Sequence, residues 1–214
     1  AFAAIPCRYI LENKNWKEAA ALIKYTANFS WDNFPWQEAI IHFTRLLGDV
    51  HIKNLSAAKF ELVKLNQLYD TLQKQKDSYK SMEVAIQIKT SEAWIKLAAG
   101  NKKDAVGLMA HAASMEDSIG KHPLTPGEVL PARELLADML LQLDENLNAL
   151  QAYEAVLYTC PNRFNSLYGA AKAAEKCSKQ QKAIYYYKQL LSIVDSAGCK
   201  RLEIIEARKF LAKA

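Results

Sequence analysis

The segments LADMLLQLDENLNALQAYEAVLYTCP (residues 136–161) and AAKAAEKCSKQQKAIYYYKQLLSIVD (residues 170–195) decide the fold, because one overlays the other at a shift of 34 residues. Leu136-Ala137, Ala149, Tyr153, Leu157 and Pro161 of the first become Ala170-Ala171, Ala183, Tyr187, Leu191 and Asp195 of the second. Packing explains this grammar. Two antiparallel helices approach closely only where small residues meet, which predicts Ala137 against Ala149 and Ala171 against Ala183. One turn later an aromatic, Tyr153 or Tyr187, fills the groove toward the next hairpin. Pro161 lacks an N–H and stops the second helix. A period of this length marks a helical-repeat array rather than a single globule.

The small-x-x-x-aromatic spacing of Ala149 and Tyr153, with Pro161 eight residues on, resembles the tetratricopeptide repeat. Arg133, Leu136, Ala137 and Leu140 stand where that family has its first-helix Trp-x-x-Leu-Gly-x-x-Tyr signature, and Asp195 replaces the second terminal proline. The resemblance implies a right-handed superhelix of helical hairpins that binds partners on a concave face lined by first helices. The stretch EDSIGKHPLTPGEVLPARELLADML followed by CPNRFNSLYGAAKAAE also resembles uncharacterised, mostly bacterial proteins of this family. There it lies in the C-terminal part of a longer chain. The absence of an initial Met fits a fragment of that kind.

Upstream the period is looser. Ala105 and Met109 take the small and large positions of a unit over about 86–119, its first helix ending at Ala99-Gly100-Asn101. WQEAIIHFTRLLGDVHIKN (36–54) and SAAKFELVKLNQLYDTLQKQ (56–75) form an earlier pair, with Ser56 as expected N-cap. AAIPCRYILEN and WKEAAALIKYTA form the first, joined at Lys14-Asn15. KRLEIIEARKFLAKA (200–214) reads as the cap that closes a solenoid's last apolar face. The expected fold is therefore all-α: a TPR-like α-α superhelix of about five hairpins plus a C-terminal capping helix. It forms one domain over 1–214, with its clearest repeats at 130–163 and 164–197. Two connectors interrupt it: aromatic NFSWDNFPW (28–36) and the Pro-rich insertion 120–131.

Composition sets the outer limits. Half of the 214 residues are hydrophobic, and seven glycines and six prolines are few for a turn-rich β fold. The net charge of +5 is spread without a basic run, so no nucleic-acid footprint is expected. No apolar stretch is long enough for membrane insertion. A soluble chain is expected, cytoplasmic or periplasmic if a leader preceded it. Cys7, Cys160, Cys177 and Cys199 have no metal-ligand spacing, and no cofactor or metal site is expected. His42, His51, His111 and His122 belong to no catalytic motif. The acids Glu116-Asp117 and Asp144-Glu145 are adjacent and diverge on a helix, so neither pair makes an acid/base dyad. No enzyme activity is expected.

The expected functional surface is a stripe on the first helices. The third repeat contributes Gln87, Thr90 and Trp94, the fourth Arg133, Glu134 and Asp138, and the fifth Asn165, Tyr168 and Lys172. Polar groups interleaved with aromatics suit an extended peptide, which needs backbone hydrogen bonds and an anchor. The acids of the fourth repeat argue against the Lys, Asn and Arg set with which some tetratricopeptide proteins grip a C-terminal carboxylate. The expected function is a protein–protein interaction scaffold taking a peptide or helix of a partner. The alternative is a regulatory or ligand-sensing accessory module of a larger protein.

Overall fold

The computed structural model describes residues 3–24, 29–119, 128–194 and 201–214. All regular secondary structure among them is helical: eleven α-helices, one short 3-10 turn and no strand. The chain divides into two compact units, Ala1–Ala132 and Arg133–Ala214, with the boundary at the end of the insertion expected inside one domain. The first unit holds α1 (Ala4–Glu12), α2 (Trp16–Ala20), the 3-10 turn Trp31–Asn33, α3 (Pro35–His51), α4 (Leu55–Lys74), α5 (Ser78–Ala98) and α6 (Lys102–Ile119). After α7 (Ala132–Gln142), the second continues through α8 (Asn146–Thr159), α9 (Phe164–Lys176), α10 (Gln180–Ser192) and α11 (Leu202–Leu211).

One turn type joins most of these helices. Lys14, Lys53, Lys76, Gly100, Asp144 and Ser178 all have positive φ, between 53° and 88°. In each case the N–H of the next residue reaches back five residues, as in Asn54 N–H to the Asp49 carbonyl (2.8 Å) and Glu145 N–H to the Leu140 carbonyl (2.9 Å). This is the Schellman ending of a helix. The following residue then opens the next helix. Asn54 accepts from the Ala57 N–H (3.3 Å), and Asp77 accepts from the Lys80 N–H (3.1 Å). Asn54 rather than Ser56 is thus the N-cap of α4. Ser56 only donates to the Asn54 side chain (3.1 Å). The Asp77 cap also starts α5 at Ser78, a full two turns before the expected residue 86.

Successive helices pack on one another within each unit: α3 on α4, α4 on α5, α5 on α6 and α3 on α5 in the first, and α8 on α9, α9 on α10 and α10 on α11 in the second. The expected small-residue positions Ala137, Ala149, Ala171 and Ala183 are all fully buried, as are Ala105 and Met109. Tyr153 is fully buried, and a methyl group on Gly169 would overlap its ring. Tyr153 of α8 therefore packs on α9. Tyr187, 34 residues on, meets Phe210 of α11 with ring centroids 4.9 Å apart.

Helix α2 stops at Ala20, where a continuation to residue 27 was expected. The Leu22 carbonyl accepts from Arg45 Nε (2.7 Å). The backbone of α2 also presses on α3 at Gly48, where any side chain would strike Trp16 and Ala20. Pro35 is the first residue of α3, a position where its missing N–H costs no helical hydrogen bond. In the aromatic connector Trp31 is buried, and Phe29 stacks on Phe34 (5.0 Å). Asn28, His122, Asp195, Cys199 and most of the insertion lie outside the described residues.

Candidate functional site

The residues proposed from sequence take two different situations. In the first unit Gln87, Thr90 and Trp94 line one face of α5, and all three are buried. Burial leaves some of their polar atoms without partners. Among the described residues Gln87 Oε1, Ser91 Oγ and Trp94 Nε1 have no hydrogen-bond partner. They fall at i, i+4 and i+7, hence on one stripe. A buried polar atom left unpaired costs about 1–3 kcal/mol, and native proteins pair nearly all of them. Ser91 was missed in the sequence because a serine inside a helix carries no signal of its own. Trp94 also closes an aromatic run. Its ring lies 4.8 Å from His51, which stacks on Trp16 at 3.8 Å.

In the second unit the proposed residues are engaged by the chain itself. Glu134 of α7 is buried and receives two bonds from Arg163, Nε and Nη2, each at 2.7 Å, and one from the Ser166 hydroxyl. Burial pushes its carboxyl up, opposed by the Arg163 guanidinium. Asp138 accepts from the Tyr153 hydroxyl (2.5 Å). Tyr168 donates to Glu206 of α11 (2.6 Å), and Lys172 lies 3.5 Å from the same carboxylate. Asn165 is buried, with Arg201 Nη2 at 3.4 Å. Arg133, Asp138, Tyr168 and Lys172 keep part of their surface.

A second polar network joins α3 to α4. His42 Nδ1 bonds the Glu61 carboxylate, and its Nε2 lies 3.6 Å from Glu38. Arg45 approaches Glu61 at 3.8 Å. Asp49, also buried, has its carboxyl raised to about 6 by burial and then by the Glu61 charge, with Arg45 opposing. His51, nine residues after His42, faces Trp16 instead.

The residues that come together as a crevice belong to the first unit. The space among its side chains is about 260 Å³, open to solvent, and leaves room for a single water-sized group. Glu83, Gln87 and Thr90 of α5 form one wall, and Glu116 of α6, Glu128 and Phe43 of α3 complete it. Glu116 accepts from the Ala132 N–H at 2.6 Å. Its carboxyl is nonetheless raised to about 8, first by burial, then by the charges of Glu128, Glu83 and Asp117. The Glu83 carboxyl is raised too, mainly by burial; the Tyr79 hydroxyl donates to it and Arg8 lies near. Glu83 lies four residues before Gln87 on the same face of α5, in the two turns that precede the expected start of that helix. Glu116 and Glu128 meet them only through tertiary packing. Among the described residues no group of His, Cys, Asp or Glu side chains is arranged to hold a metal ion. No described helix is long and apolar enough to cross a membrane.

No family model, curated protein or solved structure matches the chain.

Proposed function

We propose that the chain is a tetratricopeptide-like interaction module whose first helices receive an extended peptide or a helix of a partner protein, without catalysis of its own. The observation that carries this reading is Gln87 on α5, which lines the crevice and keeps its amide oxygen unpaired. A purely structural position gains nothing from such an atom, because an apolar side chain of equal size would pack there without the desolvation cost. A group of a bound peptide that enters the crevice can supply the missing donor. In the second unit Arg133, Asp138, Tyr168 and Lys172 are the residues of the proposed stripe that retain surface, and Glu134 and Asn165 hold the helices beneath.

The test is selection of a random peptide display library on the immobilised chain. Enrichment of a peptide family is expected, together with at least a tenfold loss of affinity in the variant Gln87→Met. That variant should melt no lower than the parent, since it replaces an unpaired polar atom with an apolar group of similar size. Absence of any enriched family, or equal binding by the variant, would overturn the reading.

A further inference from the structure

The crevice between α3, α5, α6 and residues 128–132 holds three carboxyl groups from three separate chain segments, Glu83, Glu116 and Glu128, around a space for one water-sized group. Acids alone specify no ligand. The independent feature is Gln87, about nine-tenths buried, lining the same crevice with its amide oxygen unpaired. Carboxylates and an amide oxygen are all acceptors, so the complementary group is a compact cation rich in donors. We propose that this crevice receives a primary ammonium group, the tip of a lysine side chain in the bound peptide, and this assignment rests on the interaction reading above.

Size and donor count select among cations. An ammonium tip carries three N–H donors on one nitrogen, which match Glu83, Glu128 and the Gln87 oxygen. A guanidinium is planar, with five donors in a fixed fork, and needs a wider slot than a single water-sized space. A quaternary ammonium has no N–H to give. Phe43 and Ile86 on the wall suit the methylene stem behind the charged tip. Arg8, which lies near Glu83, neutralises part of the acidic field without supplying the missing donors to Gln87.

Glu116 adds a proton linkage. With its carboxyl near 8 it is largely protonated at neutral pH, facing Glu83, Glu128 and Asp117 and bonded to the Ala132 N–H. A cation entering the crevice favours the ionised form and expels that proton. Affinity therefore rises as pH climbs from 6.5 toward 8.5, still below the ordinary lysine range near about 10.4.

The experiment is a titration of the ¹⁵N-labelled chain with n-butylammonium chloride, following the Gln87 side-chain amide and the Glu128 backbone amide by NMR. Saturable shifts are expected, at least tenfold weaker with n-butylguanidinium, tetramethylammonium or potassium at equal ionic strength. Glu128→Gln and Gln87→Met should each weaken the butylammonium response at least fivefold while the remaining spectrum stays folded. No saturable shift, or equal shifts from tetramethylammonium or potassium, would overturn the site. Enriched display peptides with no butylammonium response would sink the ammonium assignment alone. Butylammonium binding without any enriched peptide would sink the peptide reading and leave the cation site standing.

Discussion

The ring of Tyr153 occupies the space that a side chain at Gly169 would need. This contact joins α8 to α9, and Tyr153 is fully buried in making it. Gly169→Ala must therefore displace a buried ring whose hydroxyl is also held by Asp138. The expected cost is about 1–3 kcal/mol, the range for overpacking a filled core. Urea unfolding followed by circular dichroism measures it. A neutral Gly169→Ala would mean that the ring moves without loss and that α8 and α9 are less tightly packed than the geometry requires.

The buried pair of Glu134 and Arg163 makes a second case. Arg163→Met removes both guanidinium bonds and leaves a buried carboxylate that keeps the Ser166 hydroxyl as a donor. Stranding a buried charge costs about 3–5 kcal/mol. Glu134→Leu combined with Arg163→Met removes the charge as well, and should recover most of that loss. Chemical denaturation of the single and double variants checks the order. A double variant as unstable as the Arg163 single would show that packing, not the uncompensated charge, dominates the site.

Lys53 tests the turns. Its φ of 66° is left-handed, a region that costs a residue with a Cβ about 1–2 kcal/mol. Gly100 fills the equivalent place after α5 without that cost. Lys53→Gly should raise stability by about 1 kcal/mol, the reverse of glycine's usual effect inside a helix. The thermal midpoint, read with and without the substitution, decides it.

The small-residue positions were legible because they depend on local sequence. Ala137, Ala149, Ala171 and Ala183 are small where helices must approach, and all are buried. Helix ends were legible at Gly100-Asn101 and before Pro161, where the residue types themselves stop a helix. They were less legible at Ala20, because Arg45 reaches the Leu22 carbonyl from a helix 23 residues away. The stripe on the first helices was legible as a face and not as an environment. Periodicity puts Gln87, Thr90 and Trp94 on one side of α5, but whether that side meets water is set by helices far off in sequence. The crevice was the least legible feature. Glu116 lay beside Asp117 and read as half of a diverging pair, and nothing local says that Glu83 and Glu128 face it.

Asp49 yields the clearest dependence on pH. In the folded chain its carboxyl is raised to about 6, from an ordinary value near 3.8, chiefly because it is buried and then because Glu61 lies near. A carboxyl raised on folding holds its proton more tightly in the native state. Between pH 4 and 6 the native state thus binds more protons than the unfolded chain, and stability contributed at this site falls as pH rises through that window. Asp49→Asn removes the titration while keeping the shape of the side chain. The variant should match the parent at pH 4 and exceed it in thermal midpoint at pH 7 and above, with the gap opening between about pH 4 and 6. His42 bonds the same Glu61, so the comparison is repeated in the His42→Gln background to separate the two groups. A gap of equal size at pH 4 and pH 7 would show that the substitution acts through packing and that the Asp49 proton plays no part.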